Sequence, residues 1–231
     1  MTERAELEIP NRIAGMLAGA LLLLGALPAA GAEPAAGRRA EFGAQPASSQ
    51  ARAIADWVIG SGDNHDAPFV IVDKRAAKVF VFGPEGRLLG ATTALLGLAH
   101  GDDTVPGIGD RKLASIRPEE RTTPAGRFVA SLGSDLGPKD VVWVDYDAGI
   151  SLHRVVTSNA REHRLKRLAS HSLLDKRISY GCINVPPNFF DQTIRPEFLH
   201  SSGVVYILPE VRSLASVFPA YAAAAKVAGA R

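Results

Sequence analysis

The chain has 231 residues, 46% of them apolar, and a formal net charge of +2. That is ordinary for a globular protein able to bury one substantial core, and no basic patch interleaved with aromatics points to nucleic acid. A lone cysteine, Cys182, excludes an intrachain disulfide.

In chain order, Ile13 to Ala30 is a nearly unbroken run of small and aliphatic residues, and Ala30-Gly31-Ala32 offers a small-residue cleavage site before Glu33. Residues 1–32 therefore read as a cleaved signal peptide. The alternative is an uncleaved anchor, because Glu3, Glu6 and Glu8 outnumber Arg4 and Arg12 ahead of the run. No cysteine stands directly after the run, which excludes a lipoprotein. Residues 33–66 are expected as a linker and short helix: Glu33 to Ser49 is rich in Ala, Gly, Pro and Ser, and Gln50 to Ile59 predicts the helix.

From residue 67 to 209 the pattern is one of short strands. Phe69–Val72, Val79–Phe82, Leu88–Leu96, Arg127–Leu132, Val141–Tyr146, Ile150–Val155 and Val204–Leu208 are rich in β-branched and aromatic residues, with turn chemistry such as Gly83-Pro84-Glu85-Gly86 between them. This predicts a mainly β fold, an antiparallel β-sandwich with short helices inserted. Two insertions interrupt the strands. Gly97 to Thr122 is a long polar loop, either functional or a solvated excursion. Thr157 to Lys176 predicts a helix, with Asn159 as N-cap, Glu162 at the capping-box position, and Leu165 and Leu168 on one side. Pro186-Pro187 opens a further helix carrying Phe189, Phe190 and Ile194. Residues 210–231 form an Ala-rich tail.

The chemistry converges on Ser179-Tyr180-Gly181-Cys182-Ile183-Asn184-Val185-Pro186-Pro187, where the only thiol sits after a glycine and before a helix start. Acyl transfer through a thiol needs a base and donors for the developing oxyanion. Gly181 allows an unusual backbone angle through which the amides of Gly181 and Cys182 could face that oxyanion. Three histidines compete as base. His153 ends the alternating run Ile150-Ser151-Leu152-His153 and is favoured. His163 lies among Arg161, Arg164, Lys166 and Arg167 on a predicted basic helix face, and His171 lies in a loop ahead of the motif. Ser179 and Asn184 are expected to hold the loop through side-chain-to-backbone hydrogen bonds. A zinc site from Cys182, His153, His163 and His171 lacks the tight ligand spacing of zinc motifs.

These residues resemble a family. Ser179-Tyr180-Gly181-Cys182-Ile183-Asn184 is similar to the active-site motif of the L,D-transpeptidases (YkuD domain), and Thr123-Pro124-Ala125-Gly126-Arg127-Phe128 resembles that family's Thr-Pro-x-Gly-x-Phe signature. The motifs occur in the family's order, and the resemblance spans roughly residues 67 to 208. One position departs, with Tyr180 where the family carries His. The resemblance implies a mainly β catalytic domain, Cys182 as nucleophile, His153 as base, and the backbone carbonyl of Arg154 orienting that base. Tyr180 would either donate its phenol to the oxyanion or only pack. The implied substrates are peptidoglycan stem peptides. The implied acceptor is an amine, such as a second stem peptide, a protein lysine or a D-amino acid. No cofactor or metal is implied, and the expected location is periplasmic or secreted and associated with the cell wall. An L,D-carboxypeptidase or amidase, and an inactive wall-binding module, remain as alternatives.

Overall fold

Strand runs apolar at every position, such as Phe69-Val70-Ile71-Val72, imply a sheet buried on both faces, because successive side chains point to opposite sides. The computed structural model of the protein describes residues 37–135 and 139–229, all within one unit, Pro34–Arg231. The segment read as a signal peptide lies outside the described residues. Ten strands are described: β1 (Phe69–Asp73), β2 (Lys78–Phe82), β3 (Leu88–Thr93), β4 (Leu96–Gly97), β5 (Gly126–Ser134), β6 (Asp140–Asp145), β7 (Ile150–Arg154), β8 (Arg177–Ser179), β9 (Ile183–Val185) and β10 (Gly203–Ile207). Eight form one sheet in the order β3-β2-β1-β10-β5-β6-β7-β9, and β4 pairs with β8 in a second. A backbone bridge between Leu95 and Asn184 links the segment after β3 to β9, so the large sheet is nearly closed.

The fold is mainly β, and its sheet is mixed rather than purely antiparallel. β1 runs parallel to β10, β7 to β9, and β4 to β8. Hairpin reasoning captures neighbours in sequence and misses these pairings, whose partners are remote along the chain.

Alternation divides the core. Val70 and Val72 of β1 join Val79, Val81, Val142, Leu152 and Val205 inside the curled sheet. A helical stretch behind Pro186 plugs this interior with Phe190, Ile194 and Phe198. Phe69 and Ile71 face the other way and meet Phe80, Phe82, Tyr206 and the helix α1 (Ser49–Ser61). Helix α1 is capped by Ser48, whose Oγ accepts from the Ala51 amide, and ends at Gly62 in the left-handed region. Its buried face, Ala51, Ile54, Ala55 and Val58, follows helical spacing. Truncating Ile54 to Ala would cost on the order of 2–5 kcal/mol. Within the stretch read as linker, Phe42 is buried edge-on against Phe80 and Phe82. In the tail, Phe218 is buried in the same cluster and Tyr221 packs edge-on against Trp57.

Both insertions are ordered. The 97–122 loop carries three short 3-10 turns. Buried Asp102 ties it to Lys74 and to the amides of residues 210–212, and Glu120 gathers Arg111 and Arg117. In the second insertion the expected helix is displaced. Asn159 caps only a 3-10 turn, Ala160–Glu162, and α2 (Arg164–Ala169) starts after His163, which sits at φ +48°. Glu162 pairs with Arg164 instead of closing a capping box. Leu168 is buried, whereas Leu165 is exposed.

Candidate active site

Cys182 sits in the sharp connection between β8 and β9, two strands that belong to different sheets. Its backbone is pinned on every side. Gly181 has φ +133°, and a Cβ there would lie 2.6 Å from Ile150 Cδ1 and 2.7 Å from the Thr122 carbonyl oxygen, so only glycine fits. Ser179 Oγ donates to the Cys182 carbonyl at 2.6 Å and accepts from the Gly181 amide at 3.1 Å. Thr123, fully buried, donates its hydroxyl to the Gly181 carbonyl at 2.8 Å and accepts from the Gly97 amide at 2.8 Å. Gly97 approaches so closely that a Cβ would fall 2.4 Å from the Arg121 carbonyl oxygen.

The parallel pairing of β7 with β9 sets His153 beside Asn184 and Leu152 beside Ile183. That register brings the imidazole to the thiol one residue before β9. The His153 ring donates from Nδ1 to the Arg154 carbonyl at 2.7 Å, and its Nε2 lies 3.3 Å from Asn184 Nδ2. The half-buried Cys182 Sγ lies 3.6 Å from Ser151 Oγ and 3.5 Å from the Gly149 carbonyl oxygen.

Burial pushes the Cys182 thiol up, but the neighbouring His153, with the Ser151 amide and hydroxyl, outweighs that and holds it below the usual thiol range. Burial alone would lower His153; its interactions with Cys182, the Arg154 carbonyl and Asp135 overcome this and hold it above the usual imidazole range. Both directions favour a thiolate beside an imidazolium, a pair able to attack a carbonyl carbon and protonate a leaving amine.

The other residues singled out from sequence take different places. The Gly181 amide is engaged by Ser179 Oγ inside the loop and so is turned away from an oxyanion role; the Cys182 amide is the one of the two not taken by Ser179. Glycine is needed here for space and backbone angle. The Tyr180 ring is covered by the Arg121 guanidinium, 4.0 Å from its centroid, and Arg121 also grips the Ile116 carbonyl. The Arg154 side chain pairs with Asp140 and Asp191 and lies over the Phe190 ring. His163 and His171 are exposed. Among the described residues, no group of three or more His, Cys, Asp or Glu is placed to hold a metal ion.

Ser151, Thr123 and Arg164 are site residues that sequence reasoning missed. Ser151 lies two residues before His153 and shares its face of β7, a signal present in the sequence. Thr123 opens the second motif, where a buried hydroxyl must find partners. Arg164 had no signal beyond a basic helix.

On the Gly149 side of the site a cavity of about 490 Å³ opens between Gly149, Asp110, Ser134, Asp135, Trp143 and Tyr146. Trp143 and Tyr146 meet edge-on at 5.1 Å and form its aromatic side. Gly149, whose carbonyl oxygen lies 3.5 Å from Cys182 Sγ, is one of the cavity's lining residues.

No family model matches the chain, and no curated protein matches it. Among solved structures it is similar in fold to the helical cell shape determining protein Pgp2 from Campylobacter jejuni, at 16% identity and TM-score 0.42 over 63% of this chain and 49% of that one. It is also similar to an L,D-transpeptidase from Enterococcus faecium, at 16% identity and TM-score 0.35 over 62% and 50%. An L,D-transpeptidase from Mycobacterium smegmatis matches at 15% identity and TM-score 0.35 over 61% and 58%. The matched region thus spans about half the length of these solved chains.

Proposed function

We propose that this chain is an exported cysteine acyltransferase that acts on peptidoglycan stem peptides as an L,D-transpeptidase. The observation that carries the reading is the junction of the two motifs: Thr123 of the first holds the Gly181 carbonyl of the second, directly behind a thiol that neighbours His153 across the β7–β9 pairing. The motif resemblance supports the substrate class, and the surroundings of Cys182 support the thiol chemistry.

In this reaction the Cys182 thiolate attacks the carbonyl of the L-configured centre that precedes a terminal D-Ala. The C–N bond breaks, the His153 imidazolium gives its proton to the departing amine, and a thioester remains. The Cys182 amide is the available backbone donor for the oxyanion. An acceptor amine then attacks the thioester. Its proton passes to His153, the C–S bond breaks, and the thiolate returns with a new amide formed. Water in place of the amine gives a hydrolase.

The test is product analysis on a tetrapeptide stem with and without an amine acceptor. The expected product in its presence is a new amide with loss of D-Ala. Hydrolysis alone, with acceptor in excess, would assign a carboxypeptidase. Absence of both products, together with no carbapenem adduct on Cys182, would leave a wall-binding module.

A further inference from the structure

Helix α2 belongs to the insertion after β7, yet one of its side chains reaches the active site. Arg164, with its side chain only 12% exposed, donates from Nη1 to Asn184 Oδ1 at 2.8 Å and holds Glu162 through Nε. Asn184 is fully buried, and its Nδ2 lies 3.3 Å from both the Cys182 carbonyl oxygen and His153 Nε2.

A guanidinium can only donate, so it fixes which end of the Asn184 amide is which: Oδ1 faces Arg164 and Nδ2 faces the imidazole. An amide nitrogen can also only donate. His153 Nε2 opposite it is therefore an acceptor in the neutral ring, while Nδ1–H is committed to the Arg154 carbonyl. The same arrangement sets an N–H donor against any proton on Nε2.

We propose that Arg164 is a positioning residue: by orienting the Asn184 amide it favours His153 in the Nδ1–H tautomer, with Nε2 unprotonated and able to exchange the Asn184 contact for the thiol proton, and it limits how firmly that proton is kept. The inference rests on the reading of Cys182 and His153 as the reacting pair. The groups facing His153 are the Cys182 thiol from the loop before β9, Asp135 beyond β5, the Arg154 carbonyl on its own strand, and Arg164 acting through Asn184. The first three favour the imidazolium, and Arg164 is the counterweight. Without it, only the longer contact of Nδ2 with the Cys182 carbonyl opposes a turn of Asn184 that brings Oδ1 toward Nε2–H and stabilises the charged ring.

The experiment follows the His153 ring by ¹⁵N and ¹H NMR across pH in the full chain carrying Cys182→Ala, which removes coupling to the thiol. The neutral ring in this parent should show a protonated Nδ1 and an unprotonated Nε2; the opposite tautomer overturns the proposal without any change at Arg164. Arg164→Leu should raise the imidazole pKa by roughly one unit, and Arg164→Lys should return it toward the parent. An unchanged pKa in folded Arg164→Leu also overturns it. In the Cys182 protein, the same substitution should move the pH profile of carbapenem acylation, whereas a loss of packing alone would scale the rate without moving the profile. A parent that forms no adduct at any pH defeats the nucleophile reading. A normal adduct with the wrong tautomer defeats only the role of Arg164.

Discussion

The hydroxyl of Thr123 donates to the carbonyl of Gly181 while accepting from the amide of Gly97, so one buried side chain joins the long polar loop to the backbone of the nucleophile. Thr123→Val keeps the shape and removes both bonds, leaving a buried carbonyl and a buried amide without partners. The expected loss is about 1–3 kcal/mol of stability per orphaned group, measured by denaturant unfolding, with slower carbapenem acylation of the folded fraction. Thr123→Ser should recover most of both. Full activity and stability in the valine variant would mean that the loop is held elsewhere.

Behind Thr123 lies a buried ionic cluster. Lys74 Nζ, fully buried, bonds to the Thr123 carbonyl at 2.8 Å and to Asp102 at 2.7 Å, with Glu210 nearby and Arg177 on Glu210. Burial works to raise Asp102, but the amides of Arg212, Glu210 and Val211 together with Lys74 hold its pKa down at about 2. A carboxylate depressed in the folded state adds stability above its unfolded pKa, near 4, and loses it as pH falls through the folded value. The difference in unfolding free energy between parent and Asp102→Asn should therefore shrink between about pH 4 and pH 2. A gap constant across that window would remove Asp102 as the acid-sensitive tie.

The strand runs were legible because β-branched, turn-bounded segments such as Phe69–Val72 and Val79–Phe82 carry their own signal. β8 and β9 were not, since three residues around Cys182 are too few for a period, and β9 exists because β7 pairs with it in parallel. The same pairing aligns His153 with Asn184, a relation between residues 31 positions apart that local pattern does not contain. The helix after Asn159 begins late because His163 adopts a left-handed angle, which periodicity does not register. Lys74 and Arg177 look like surface charges in sequence and are buried only because their carboxylate partners arrive from residues 102 and 210.

Export is an expectation that the described residues leave aside. The apolar run ending in Ala30-Gly31-Ala32 predicts cleavage there, giving a mature chain that begins at Glu33. N-terminal sequencing of protein from the periplasmic or secreted fraction checks this; intact Met1 in a membrane fraction would favour the uncleaved anchor.

A thiol held below its ordinary range by His153 should stay reactive as pH falls. Alkylation of Cys182 by iodoacetamide should persist at pH values where a free thiol has become inert, then decline as pH drops through the lowered thiol pKa. Removing the imidazole in His153→Ala removes the first of the partners that offset burial, so the titration should move up. His163→Ala and His171→Ala, both at exposed positions, should leave the profile in place. A profile moved by His171→Ala and not by His153→Ala would reassign the base.

Tyr180 stands where the resembling family has His, and its ring is spent on Arg121. The guanidinium lies 4.0 Å above the ring while its nitrogens hold the Ile116 carbonyl at 2.9 and 3.1 Å, so the ring anchors the polar loop beside the nucleophile. A cation over an aromatic face at a partly exposed site contributes roughly 0.5–1 kcal/mol or more, and it depends on the ring rather than on the phenol. Tyr180→Phe should therefore keep carbapenem acylation of Cys182 within a few fold of the parent, read as adduct formation by intact-protein mass spectrometry. Tyr180→Ala should free Arg121, loosen the 116–121 segment and slow acylation more than Tyr180→Phe does, with faster amide exchange in that segment. A loss of about 10²-fold in Tyr180→Phe is the scale for removing an oxyanion donor, and it would assign the phenol to the reaction in place of the packing role.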